Sequence, residues 1–182
     1  MKIVETALPG VRIIEPEVHE DERGFFLESW NARRFAEAGI DAAFVQDNQS
    51  RSARGVLRGL HYQRLQPQGK LVRVGAGRVY DVAVDIRRSS PTFGRHVGVE
   101  LSAENRHMLW IPAGFAHGFL ALEEGADLLY KCTDYYAAEH DRTLLWSDPA
   151  LGIAWPLDGI GGPLVSARDE AGRPLAEADL YP

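Results

Sequence analysis

The chain has 182 residues, 45% of them hydrophobic and 25% charged, with a net charge of −6. That length suits one domain over residues 1–182, and the composition excludes a disordered chain. An acidic surface offers no general field to nucleic acid or an anionic membrane, so neither is expected as a partner.

Met1 to Pro16 reads as an extended arm able to reach a second copy. It has no sustained apolar run and no cleavage site, so no signal peptide is expected. No stretch approaches the roughly 18 apolar residues of a membrane span. Ala32 to Ala38 is predicted as a helix, with Asn31 as its N-cap and Gly39 just past its end. Leu71–Val74 and Arg78–Ile86 flank Gly75-Ala76-Gly77, a strong hairpin signal. His96–Leu101, Gly118–Leu122 and Leu128–Thr133 also read as strands, and a turn after Ser102 as a second, very short helix. The tail beyond Trp155-Pro156 reads as loosely structured. Strands that follow one another without helices between them argue for an antiparallel sandwich or barrel.

In the strand after Gly77, Val79, Asp81, Ala83 and Asp85 share one face, and Tyr80, Val82, Val84 and Ile86 the other. The first face suits either a partly polar barrel interior or solvent. Cys132 is the one cysteine, so no internal disulfide can form. A reducing, cytoplasmic setting follows. Its apolar strand favours burial over reactivity.

Pro112-Ala113-Gly114-Phe115-Ala116-His117 has the P-x-G-x-x-H spacing of the second cupin motif. The first motif requires H-x-H, but here reads His61-Tyr62-Gln63. Two histidines fall short of the usual three protein ligands of a catalytic zinc. The expectation is a cupin-type jelly roll, a double-stranded β-helix that is all-β with one or two short helices, without metal or other cofactor. His61 then reads as a general base, or as a histidine bonded within the sheet. Lys70 is a candidate for stabilising an oxyanion, and Asp169 or Asp81 for orienting His61. Tyr135-Tyr136 could stack on a flat base or be ordinary strand aromatics. No P-loop, nucleophile elbow or complete Rossmann fingerprint is present.

Taken together, the motifs are more specific. Asp21-Glu22-Arg23-Gly24-Phe25-Phe26-Leu27-Glu28 precedes Gln46-Asp47-Asn48-Gln49-Ser50. Then come Arg58-Gly59-Leu60-His61-Tyr62-Gln63, Gln68-Gly69-Lys70, the His117 motif, Tyr130-Lys131 and Asp148-Pro149. From about Val11 to Asp169 the chain resembles the dTDP-4-dehydrorhamnose 3,5-epimerase family. The resemblance implies a metal-free, usually homodimeric cupin that inverts C3 and C5 of dTDP-4-dehydro-6-deoxy-D-glucose for dTDP-L-rhamnose synthesis.

It also implies roles. His61 would be the base, Asp169 its partner, Lys70 the enolate stabiliser and Tyr130 the acid. Arg23, Glu28, Gln46, Asp47, Asn48, Arg58, Lys70, His117 and Asp141 match substrate-binding positions, and Tyr136 an aromatic that packs on thymine. Asp141 stands where a Glu is expected, and Ala138 where a Pro is common. Two other readings remain: a 3- or 5-epimerase of narrower specificity on a dTDP-4-keto-deoxysugar, and a non-catalytic sugar-nucleotide-binding cupin.

Overall fold

A computed structural model describes residues 1–182. Fourteen strands and two short helices follow one another along the chain. The strands are β1 (Lys2–Glu5), β2 (Arg12–Glu15), β3 (Val18–Asp21), β4 (Gly24–Leu27), β5 (Gln46–Ser52), β6 (Val56–Gln63), β7 (Lys70–Ala76) and β8 (Arg78–Asp85). They continue as β9 (His96–Ser102), β10 (Met108–Ile111), β11 (Phe115–Ala121), β12 (Ala126–Cys132), β13 (Asp141–Thr143) and β14 (Leu164–Val165). Helices α1 (Ala32–Glu37) and α2 (Ala167–Glu170) are the only α-helices. None is long and apolar enough to cross a membrane.

Two sheets face each other. The first has the order β1-β2-β10-β7-β12-β5, and the second β13-β6-β11-β8-β9, with β14 parallel to β6. This is the expected jelly roll. Val72, Val74, Leu109 and Leu128 of the first sheet meet Val79, Ala83, Leu101 and Phe119 of the second in the interior. The outer face of the first sheet is covered by Phe35 of α1 and by Ile40, on Ile14, Leu71 and Met108. The outer face of the second is covered by Leu144, Leu151, Ala178 and Leu180, on Leu60, Val82, Val84 and Ile86.

Asn31 caps α1, its side chain accepting from the Arg34 N–H at 3.2 Å, as its position predicts. The hairpin expected at Gly75-Ala76-Gly77 does not form. β7 and β8 belong to different sheets, and the turn carries the chain across the sandwich. Gly77 sits at φ +69° there, and a Cβ would approach the Ala126 Cα to 3.0 Å. The turn after Ser102 is not a helix: Ser102 and Asn105 cross-bond side chain to backbone instead. The second helix is α2, near the C-terminus.

Both faces of β8 are covered, and Asp81 and Asp85 are fully buried. Met1 to Pro16 is no free arm, because β1 pairs with β2, which pairs with β10 at the edge of the first sheet. The tail after Pro156 has little regular structure, yet Asp169, Ala178 and Leu180 anchor it by burial.

Candidate active site

A cavity of about 320 Å³ opens between the sheets. On the first sheet, alternation along β12 turns Tyr130 and Cys132 inward, and β5 likewise presents Gln46 and Asn48. Cross-strand pairing sets these side chains in rows: Gln46, Cys132 and Lys70 in one, Asn48, Tyr130 and Val72 in the next. Asn48 Nδ2 donates to Cys132 Sγ at 3.6 Å.

The second sheet supplies Arg58, His61, Gln63 and His117. Strict alternation would put Arg58 and His61, three residues apart, on opposite faces. The β6–β11 register shifts between His117 and Phe119, so His61 pairs with His117 while Arg58 pairs with Phe119. This irregularity re-aims both side chains into one cavity. It depends on glycine: Gly59 has φ +118°, and a Cβ there would come within 2.6 Å of the Gly118 Cα.

Each cavity histidine has its own carboxylate. His61 Nε2 lies 2.6 Å from Asp169 Oδ1, and the Gly59 N–H donates to Asp169 Oδ2 at 3.3 Å. Ser166, the N-cap of α2, accepts the Asp169 N–H at 3.1 Å. Of the two carboxylates weighed as partners of His61, Asp81 goes elsewhere. Both of its oxygens lie 2.9 Å from His117 Nε2.

Burial works to raise the Asp169 carboxyl, but the bonds from His61, Gly59 and Ser166 hold it below its ordinary value. It is therefore ionised at neutral pH and can only accept, so the bond requires a proton on His61 Nε2 and leaves Nδ1 outside this pair. Burial pulls the Lys70 ammonium down, opposed by Cys132, Asp141 and Asp81. Burial pushes the Tyr130 hydroxyl up, with Cys132 adding to it, so the phenol keeps its proton at neutral pH. The cavity thus brings an imidazole, a buried amino group and a phenol together on surrounding walls.

At the mouth, Tyr136 Oη donates to Asp141 Oδ2 at 2.9 Å, and Arg168 Nη2 lies 2.7 Å from the same oxygen. Arg168 lines the cavity and sequence reasoning missed it; the one available signal was its place beside Asp169. Ser50 and Gln68 were missed likewise.

Four sequence-predicted residues do not line this cavity: Asp169, which stands behind His61, and three expected to bind substrate. Alternation on β5 points Asp47 outward, where it meets Lys131 Nζ at 2.6 Å. Arg23 pairs with Asp21 at the tip of the separate β3–β4 hairpin. Glu28 holds Asn31 Nδ2 at 2.9 Å and Arg34 Nη1 at 3.1 Å. No three His, Cys, Asp or Glu side chains gather as a metal site.

Residues 5–177 match the family profile described as dTDP-4-dehydrorhamnose 3,5-epimerase. A Pseudomonas aeruginosa protein of that description is 58% identical over the whole of both chains. A Legionella pneumophila dTDP-6-deoxy-D-glucose-3,5-epimerase, solved in complex with dTDP-4-keto-L-rhamnose, superposes with a TM-score of 0.93 at 54% identity, covering 97% of this chain and 93% of that one. A 3′-monoepimerase from Streptomyces bikiniensis, solved with dTDP-quinovose, superposes at 0.89 with 39% identity, covering 96% and 88%.

Proposed function

The chain belongs to the dTDP-4-dehydrorhamnose 3,5-epimerase family, and from that premise we propose that it inverts C3 and C5 of dTDP-4-dehydro-6-deoxy-D-glucose, giving dTDP-4-dehydro-L-rhamnose for dTDP-L-rhamnose synthesis. The observation that carries the mechanism is the placement of His61 and Tyr130 on opposing sheets, across one cavity.

His61 Nδ1 takes the proton from a carbon beside the C4 ketone. The C–H electron pair moves into the ring and the carbonyl pair onto oxygen, forming an enolate. Lys70 faces that oxygen and stabilises its charge. Tyr130 then delivers its proton to carbon from the opposite wall, and the centre is inverted. His61 then releases its proton to solvent and the Tyr130 phenolate takes one back, and the same cycle at the second carbon completes the reaction. Asp169 holds the His61 tautomer, and neither step needs a redox cofactor because the ketone is already in the substrate. Arg58, His117, Asn48, Gln46 and Asp141 are the substrate contacts in this reading, and Tyr136 the platform under thymine. Arg58 carries the guanidinium fork suited to a diphosphate.

The working unit is a homodimer of one-domain chains, in a cytoplasmic setting suited to the single buried cysteine. What supports the dimer is the β3–β4 hairpin, which stands apart from both sheets with Phe25 58% and Phe26 69% exposed. Seated on a second copy, it would bury these rings and carry Arg23 and Glu28 toward that copy's cavity. Light scattering that gives a mass near 20.2 kDa would overturn this.

Product NMR in deuterated water tests the activity. Deuterium and inversion at both C3 and C5 support the 3,5-epimerase. Inversion at one carbon alone would move the assignment to a narrower epimerase, the reading that the likeness to the 3′-monoepimerase keeps in play.

A further inference from the structure

Gln63 stands where a metal cupin has the second histidine of its first motif, and its amide is spent on two loops. The side chain is 3% exposed. Its Nε2 donates to the Gln66 carbonyl at 2.7 Å and to the Tyr135 carbonyl at 3.1 Å, and its Oε1 accepts the Ala137 N–H at 2.7 Å. From the other sheet, Gln46 Oε1 accepts the Tyr136 N–H at 2.9 Å. Three consecutive residues of the 135–137 loop are thus fastened by side chains from both walls of the cavity.

The ring at the centre of this fastening is not buried. Tyr136 is 55% exposed, and its ring is tethered through the hydroxyl alone, to Asp141 and Arg168. Immobilising an exposed aromatic costs conformational entropy that no burial within the chain offsets. The cost is recovered when a flat group stacks on a face already in place.

We propose that Gln63 is a positioning residue for nucleobase recognition: it locks the 135–137 loop so that the Tyr136 ring is pre-set to stack on the base of the dTDP moiety. This rests on the reading of Tyr136 as the platform under thymine. The chemistry requires an amide. A carboxylate of equal length could accept from Ala137 but would face the carbonyls of Gln66 and Tyr135 without a proton to give. Gln63 touches no reacting atom in this scheme, so its effect should follow the base and not the phosphates.

The test is calorimetric titration of the intact protein with dTDP and with inorganic pyrophosphate. Wild type, Gln63→Met, Gln63→Glu, Tyr136→Ala and the Gln63→Met/Tyr136→Ala double variant are compared. Gln63→Met should weaken dTDP roughly tenfold, within the range of one base–aromatic stack, and change pyrophosphate less than about twofold. The double variant should bind dTDP no more weakly than Tyr136→Ala alone. Gln63→Glu, nearly isosteric, decides the question if Gln63→Met does not fold. Equal loss for dTDP and pyrophosphate, or wild-type dTDP affinity in the Gln63 variants while Tyr136→Ala is weakened, overturns the proposal. Wild-type dTDP affinity in Tyr136→Ala would instead overturn the stacking reading beneath it.

Discussion

Asp169 holds His61 at 2.6 Å although 108 residues separate them, and its second oxygen takes the backbone N–H of Gly59, two residues before the histidine. One carboxylate therefore orients both the ring and the strand that carries it. Asp169 is buried on α2, whose N-cap Ser166 binds the Asp169 N–H. The tail is thereby part of the machinery of β6. His61→Asn should abolish deuterium exchange at both C3 and C5, because it removes the proposed base. Asp169→Asn should keep the fold but lower kcat by about 10²-fold or more, since an amide can present its NH₂ to Nε2 and favour the wrong tautomer. Exchange at either carbon at the wild-type rate in His61→Asn would remove His61 from the base role.

Tyr130→Phe should behave differently. It removes the proposed acid but leaves His61 and Lys70, so the enolate should still form and be reprotonated from its original face. Exchange should persist in part while inversion falls by about 10²–10⁴-fold. Product NMR separates the two readouts. Wild-type inversion by a folded Tyr130→Phe would rule the phenol out as the acid.

Lys70 is buried among Cys132, Asp141 and Asp81, and burial disfavours its charge. Lys70→Met should keep the packing and remove that penalty. Its stability in urea is expected to rise by about 1 kcal/mol or more, while kcat falls by about 10²-fold. A Lys70→Met protein that is less stable than wild type would show the ammonium to be a structural anchor instead.

Asp85 gives an acid dependence whose sign can be worked out. It is fully buried and accepts from Arg87, Ser90 and Thr92. Burial works to raise its carboxyl, but these bonds hold it down at about 2, against 3.8 unperturbed. Below pH 3.8 the unfolded chain binds this proton before the folded chain does. The stabilisation is therefore complete above that pH and is lost as pH falls toward about 2, amounting to about 2 kcal/mol. Urea unfolding between pH 5 and 2 checks it. Asp85→Asn should be less stable at neutral pH and show a shallower acid slope, and an unchanged slope would contradict the assignment.

The Asn31 cap, the strand-rich pattern and the motif residues were legible in the sequence because each rests on a local signal: a side chain three residues from its partner, a period of two, or a run of specific residues. Periodicity also placed Asp81 and Asp85 on one face with Val79 and Ala83, but could not say what covered that face. Only the tertiary structure showed that β7 and β8 lie in opposite sheets, since a tight turn looks the same whether it closes a hairpin or crosses a sandwich. It alone paired Asp169 with His61 and Asp81 with His117, turned Asp47 outward to Lys131, and brought Arg168 to the cavity. The bulge at Gly59 explains why alternation misleads on β6: one register shift puts Arg58 and His61 on the same side. Strand period tells which side chains share a face. Which faces meet, and which distant groups lie within hydrogen-bonding reach, is decided by how the sheets pack, through contacts between residues a hundred positions apart.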